Sequence, residues 1–175
     1  VEGYLAVFER AHDGAAYDYS VAARTGVHDA YRLAGYLLGD TAEAQDAVQD
    51  ALVRAWKSWG SLRDQDRFKP WFDRIVVNVC RDRMRRHRSL KLVDLEAAGH
   101  VEGGDTFAEM LASDEVARAV ARLGPDHRIA IVLRFWQDLT IEQAAETLNV
   151  PVGTVKSRLH YGLKALRSEL NGVER

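Results

Sequence analysis

The stretch TIEQAAETLNVPVGTVKSRLHYGLKALR, Thr140 to Arg167, carries two helical patterns separated by three residues that interrupt helix. In the first, Thr140 occupies an N-cap position with Gln143 three residues later as its capping-box partner, and Ile141, Ala144, Ala145 and Leu148 share one face. Asn149 suits the left-handed conformation that ends a helix. Pro151 suits the start of the next, where the N–H it lacks would be unpaired anyway. Val155, Leu159, Leu163 and Leu166 then recur at helical spacing and predict a buried stripe. The small Ala145 permits close approach of the two helices, and the turn between them sets the crossing angle. The pattern predicts a helix-turn-helix. Its second helix offers Thr154, Lys156, Ser157, Arg158 and Tyr161 on the remaining faces, a set of hydrogen-bonding groups, positive charge and one aromatic ring that suits a DNA groove. An ordinary helical hairpin with a solvated polar face is the competing reading.

Composition sets limits on that reading. The 175 residues include 24 Lys plus Arg against 26 Asp plus Glu, a formal net charge of -2, whereas a free-standing DNA binder is usually more basic. With 47% hydrophobic residues the chain can build one ordinary core or two small ones. Its one cysteine, Cys80, excludes an intramolecular disulfide. Without a CxxC or paired His–Cys spacing it predicts a small core residue rather than a zinc ligand. Neither a phosphate-cradling glycine loop nor a nucleophile elbow is present and the six histidines are scattered, so no catalytic residue, metal or cofactor is expected. No apolar run has the length of a signal peptide or membrane span, which predicts a cytoplasmic protein. Val1 fits either an alternative start codon or a trimmed terminus and does not distinguish them.

Helical periodicity dominates, only three prolines occur, and no strand-like alternation stands out, so the expected fold is all-α. Between Asp94 and Glu115 there are seven acidic residues, no Lys or Arg, and three glycines. This predicts an acidic linker over 94–115 joining two small helical domains, 1–93 and 116–175. Within the first, Gly39 closes one helix, Asp40 caps the next, and Glu43 stands as its capping-box partner. That next helix buries Ala44, Val48, Ala51, Leu52, Ala55, Trp56 and Trp59, leaving Asp46, Gln49 and Asp50 together on another face. By itself such an acidic face reads most simply as solvated. In FKPWFDRIVVNVCRDRMRRHR, Phe68 to Arg88, the apolar stripe is Phe68, Trp71, Phe72, Ile75, Val76 and Val79. A different face carries Arg74, Asn78, Arg81, Arg85 and Arg88, spaced by four, three, four and three. Such a ridge suits a phosphate backbone, because the guanidinium is a planar fork of donors whose charge does not titrate away, and Asn78 could reach a base edge. A solvated basic face or a protein-binding site is the alternative.

Together, YRLAGYLLGDTAEAQDAVQDALVRAWKSW, the Phe68–Arg88 segment and LGPDHRIAIVLRFWQDLTIEQAAETLNVPVGTVKSRLHYGLKAL resemble regions two and four of a bacterial RNA polymerase sigma factor of the extracytoplasmic-function (ECF) group, over nearly the whole chain. The resemblance implies a non-catalytic subunit that binds core RNA polymerase, directs it to promoters and promotes DNA opening. It implies that Asp46, Gln49 and Asp50 grip the polymerase clamp. It implies that the loop from Ser61 to Lys69, with Arg63 and Lys69, and the ridge residues Arg74, Asn78, Arg81, Arg85 and Arg88 meet the single-stranded minus-ten element. Trp71 and Phe72 either assist there or only pack. Thr154, Lys156, Ser157, Arg158 and Tyr161 would meet the double-stranded minus-thirty-five element, the linker would thread towards the RNA channel, and an anti-sigma factor is a further expected partner. Division of the DNA contact between two small surfaces, assisted by a large partner, removes the objection from net charge.

Three departures qualify the resemblance. The segment from Ala11 to Gly26 is unlike the usual opening. Tyr161, Gly162 and Leu163 follow His160 where further arginines are common, and Gly162 predicts a weakening of about 1 kcal/mol relative to Ala in an exposed helix interior. The short tail after the last helix predicts no C-terminal sensory domain. The rival functions are a helix-turn-helix regulator that binds its operator without polymerase and, further off, a nucleic-acid enzyme.

Overall fold

The computed structural model describes residues 14–93 and 115–173, and among them finds seven α-helices, two 3-10 turns and no strand. The helices are α1 (Gly14–Leu38), α2 (Thr41–Ser58), α3 (Phe68–Val93), α4 (Glu115–Arg122), α5 (Pro125–Phe135), α6 (Ile141–Leu148) and α7 (Val152–Val173). The acidic linker lies outside the described residues except for Glu115, which opens α4. None of the described helices is long and apolar enough to cross a membrane.

Helices α1, α2 and α3 pack on one another as an N-terminal unit. Gly39 takes φ 72°, which glycine adopts without a Cβ penalty, and its N–H donates to the Gly35 carbonyl 2.8 Å away to close α1. Asp40 caps α2 by accepting from the Glu43 N–H at 2.7 Å. The reciprocal half of the expected capping box is missing from the cap's bonding, because the Glu43 carboxylate is drawn to Arg83 and His87 of α3. Ala44, Val48, Ala51, Leu52 and Ala55 are buried as expected, but Trp56 and Trp59 are only partly so. The indoles flank Tyr19, with ring centroids 5.3 Å from it in each case. Tyr19 itself lies within the atypical opening segment, is 1% exposed, and donates its hydroxyl to the Leu52 carbonyl at 2.6 Å. An aromatic donor that finds a partner when buried can anchor a helix. That bond fastens the early part of α1 to α2.

Helices α4 to α7 form a C-terminal unit in which α5 and α6 lie against α7. Thr140 and Gln143 complete the capping box at 3.1 and 2.8 Å. Asn149 adopts φ 53° and its N–H turns back to the Ala145 and Glu146 carbonyls, as its place in the sequence predicts. Gly162 corrects an expectation. It is buried, and a Cβ there would stand 3.0 Å from Ile131 Cδ1 and 3.3 Å from His127 Cβ. Its lack of a side chain lets α7 approach α5, so the helix-propensity cost is offset by close packing.

The two units are themselves in contact. Helix α3 packs against α5 and α6, α1 packs against α4 and α5, and one continuous apolar cluster runs from Tyr19 to Leu159. Tyr36 meets Trp136 at 5.6 Å between ring centroids. The Arg128 side chain of α5 donates to the Leu37 carbonyl at 2.8 Å, satisfying a carbonyl in the last turn of α1 where a cation is favoured by the helix dipole. Burial lowers the Arg128 pKa to about 10.

Candidate nucleic-acid interface

The acidic face of α2 is built by three positions a helical turn apart, Asp46, Gln49 and Asp50. Asp46 and Asp50 are exposed and Gln49 is half-buried. Asp50 is engaged on its own protein, accepting from Arg83 Nη2 at 2.6 Å, while Arg83 Nη1 reaches Glu43 at 3.3 Å. Arg83 thus ties α2 to α3 beside this face and leaves Asp46 as the outward charge. Sequence reasoning did not single it out, although its offset of two residues from Arg81 and Arg85 places it on a different side of α3 from the ridge.

The connection from α2 to α3 runs through 3-10 turns at Trp59–Ser61 and Gln65–Arg67 and exposes Arg63. Lys69, in the first turn of α3, lies between two carboxylates, with Nζ 2.9 Å from Asp73 and 3.4 Å from Asp29. Burial pushes the Asp73 carboxyl up, against the lowering effect of Lys69. For Lys69, burial lowers the pKa, but the hydrogen bonds and charges of Asp73 and Asp29 outweigh it and the net shift is upward. The ammonium is therefore held charged at the mouth of the loop.

The alternative left open for Trp71 and Phe72 divides between them. Phe72 is 1% exposed and stacks on Phe68 with ring planes 16° apart, so it is a core residue. Trp71 is half-buried, 6.0 Å from Phe68 and 6.3 Å from Trp59, packed on the core with part of its ring accessible.

Along the ridge, Asn78 accepts from Arg81 Nη2 at 2.8 Å, so these two are oriented by each other. The other arginines turn to the C-terminal unit. Arg74 borders a cleft with Glu142, Asn149 and Pro151 of the helix-turn-helix. Arg85 Nη2 lies 3.3 Å from Asp126 in the first turn of α5. The Arg88 guanidinium sits 3.2 Å from the Cβ position of Gly124, the N-cap of α5.

On α7, Lys156, Ser157 and Tyr161 are exposed, the last at 58%, and Thr154 is half-buried. The Ser157 hydroxyl donates to the Thr154 carbonyl at 2.9 Å, and Tyr161 meets His160 edge to face at 5.2 Å. Arg158 differs. Its side chain is 21% exposed and points to Asp126, Nη2 to Oδ1 3.6 Å. Cys80 is fully buried, and burial pushes its thiol up to about 12, which is the behaviour of a core thiol rather than a nucleophile.

A helix-turn-helix in the C-terminal unit, beside a basic ridge on α3 and an acidic face on α2, defines a helix-turn-helix transcription protein. Residues 24–90 match the family model of sigma-70 region 2, and residues 119–168 that of sigma-70 region 4. The ECF RNA polymerase sigma factor SigW of Bacillus subtilis is 32% identical over 157 residues, covering 82% of this chain and 83% of that protein. The ECF RNA polymerase sigma factor SigL of Mycobacterium tuberculosis is 34% identical over 151 residues, covering 83% and 85% respectively. Among solved structures, the sigma factor RpoE from Bartonella quintana, crystallised with the anti-sigma factor NepR, superposes with a TM-score of 0.65 at 26% identity, covering 88% of this chain and 97% of that one. The chain belongs to the ECF RNA polymerase sigma factors of the sigma-70 family. It acts in transcription initiation, binding core RNA polymerase and directing it to promoter DNA.

Proposed function

We propose that the work of initiation is divided among three surfaces of this chain, within domains spanning 1–93 and 116–175 and a linker over 94–115. Asp46, Gln49 and Asp50 grip the polymerase clamp. Arg63, Lys69, Trp71, Arg74, Asn78, Arg81, Arg85 and Arg88 hold the single-stranded minus-ten element and its phosphates. Thr154, Lys156, Ser157, Arg158 and Tyr161 meet the minus-thirty-five element in the major groove. The observation that carries this reading is the union of an exposed acidic face on α2 with an arginine and asparagine ridge on α3 in one packed three-helix unit. A regulator that binds its operator alone has no use for the first.

The protein itself carries out no bond chemistry. It holds promoter bases that have left the stack, offsetting an unstacking cost of roughly a few kcal/mol. It acts in the cytoplasm, where polymerase and promoter are, and an anti-sigma factor that covers the polymerase-binding surfaces is a fitting partner, as the NepR complex of the Bartonella protein suggests by analogy.

Gel filtration with bacterial core RNA polymerase, followed by transcription from a promoter library with the recovered complex, tests the reading. Co-elution with new promoter-dependent transcripts is expected. Failure to bind a competent core enzyme, together with tight operator binding by the free chain, would move the function to a stand-alone regulator.

Two substitutions test individual assignments. Asn78→Ala is expected to reduce promoter opening, read by permanganate reactivity of unpaired thymines, more than closed-complex formation read by gel shift. Equal losses in both assays would return Asn78 to the role of holding Arg81 in place. Arg158→Ala is expected to weaken recognition of the upstream element by about 1–3 kcal/mol, with discrimination lost at one base pair if the guanidinium reads a base. Uniform weakening across sequences would assign it to a phosphate instead.

A further inference from the structure

Charged side chains from two helices meet where the loop after α2 enters α3. Lys69, in the first turn of α3, places Nζ 2.9 Å from Asp73 Oδ2, one turn further on, and 3.4 Å from Asp29 Oδ2 of α1. The Asp73 side chain is 7% exposed, against 48% for Lys69, so the group runs from a carboxylate anchored in the interior to an ammonium that faces solvent. Among the described residues Asp73 is the one buried Asp or Glu. Burying a carboxylate is costly unless it is paired, and Lys69 supplies the pair. Asp29 reaches the same ammonium because α1 comes close to α3 one turn earlier, where a Cβ on Gly26 would stand 3.0 Å from the Phe68 ring.

A lysine that clamps a phosphate works as a free point charge on a flexible stem. Lys69 is neither free nor flexible. Two carboxylates share its ammonium, which leaves the group without net positive charge even with Asp73 protonated, and they restrict the rotamers of its side chain. Of the N–H donors of the ammonium, one is committed to Asp73 and another has Asp29 within reach, which leaves a single donor for a ligand. A fixed single donor of this kind favours a neutral acceptor, the carbonyl oxygen or ring nitrogen of an unpaired base, over a phosphate.

We propose that Asp73 and Asp29 are positioning residues for Lys69, which hold its ammonium at the loop mouth as a reader of one base acceptor in the minus-ten strand and withhold it from the phosphates. The inference rests on the reading of the loop and of the α3 ridge as the minus-ten surface. Phosphate contact there falls to the arginines, and Lys69 contributes sequence preference through two carboxylates that never touch DNA.

The test uses holoenzyme reconstituted with the full chain, and a fluorescent single-stranded oligonucleotide carrying the minus-ten non-template strand of a promoter recovered from the library transcription. Affinity is measured for the unaltered strand, for strands changed at each position in turn, and over a range of KCl concentrations. Lys69→Met is expected to erase a preference of roughly tenfold at one position and to leave the slope of log affinity against log salt unchanged. Asp73→Asn and Asp29→Asn are each expected to weaken the preference at that same position, and to steepen the slope by up to about 0.7 as the released ammonium finds a phosphate. Asp29 is half exposed, so its substitution keeps the test open should loss of the buried Asp73 carboxylate unfold the chain. In a Lys69→Met background neither Asp substitution is expected to act on preference or slope. Effects that persist there come from lost negative charge or altered packing alone and overturn the positioning role. Lys69→Met with every base preference intact and a slope shallower by about 0.7 makes Lys69 a phosphate clamp and also overturns it. The same holds if both Asp substitutions leave preference and slope untouched while Lys69→Met erases the preference. Arg85→Ala in the same holoenzyme separates this from the parent reading. Unchanged strand binding there removes the ridge as a minus-ten surface and this inference with it, whereas weakened strand binding beside a Lys69→Met holoenzyme with all its base preferences removes the inference alone.

Discussion

Replacement of Phe72 by alanine is expected to lower the unfolding free energy of the N-terminal unit by about 3–5 kcal/mol, the range for a buried phenyl ring lost with its cavity unfilled. The ring is 1% exposed and lies flat against Phe68, whose other neighbours are Trp59 at 5.9 Å and Trp71 at 6.0 Å. The stacked pair abuts α1 at Gly26, where a Cβ would come within 3.0 Å of the Phe68 ring and 3.4 Å of the Phe72 ring. The site therefore joins α1, the end of α2 and α3, and rigid helices on several sides limit how far it can collapse. Three of the four tryptophans, Trp56, Trp59 and Trp71, belong to this unit, so urea unfolding followed by indole fluorescence reports on it directly. A midpoint shift with an unchanged slope is the expected signature. Phe72→Leu, which keeps more of the volume, should recover much of the loss. An alanine variant as stable as the parent would show that the ring does not carry this contact.

The second large effect concerns binding rather than folding. Asp46→Lys is expected to weaken the complex with core polymerase by about 2–5 kcal/mol, the range for losing one partner of a desolvated charge pair at an interface. Asp46 is the cleaner choice on this face because Asp50 is tied to Arg83, so that reversing Asp50 would also disturb the α2 to α3 contact. Asp46 is exposed in the free chain, and surface substitutions of that kind usually change stability by no more than about 0.5 kcal/mol. Competition for core enzyme against a labelled sigma factor, beside a thermal unfolding curve, separates the two quantities. Unchanged affinity would move the polymerase contact off this face.

How much of this was legible in the sequence depends on the range of the interaction concerned. The capping box at Thr140 and Gln143, the left-handed Asn149, the closing Gly39 and the Asp40 cap all follow from residues within a few positions of one another, where backbone geometry leaves few choices. The alternation of apolar positions likewise assigns Val76, Val79, Val155 and Leu159 to the interior, because a helix presents every third or fourth residue to the same side. The same period aligns Arg74, Asn78, Arg81, Arg85 and Arg88, and it groups Asp46 with Gln49 and Asp50. Glu43 shows the limit of local rules, since its carboxylate has Arg83, forty residues away, within reach.

What faces those surfaces belongs to the tertiary structure. Asp126 looks in the sequence like an acidic residue in the first turn of a helix, favourable there for the helix dipole. Only the placement of α5 against α3 sets it between Arg85 and Arg158, 41 residues from the first. Arg128 reads as one more polar residue, yet it bridges to Leu37 across 91 residues. Gly162 reads as a weak point in a helix, and becomes the place where α7 meets α5. By itself, then, the sequence determined the helix caps and the side that most residues take, because those follow from near neighbours and a fixed helical period; Leu163, which that period places in the buried stripe of α7, is instead 41% exposed. The tertiary structure alone decided which charged surfaces meet, because that depends on how two packed units dock across an intervening linker, and no local period encodes it.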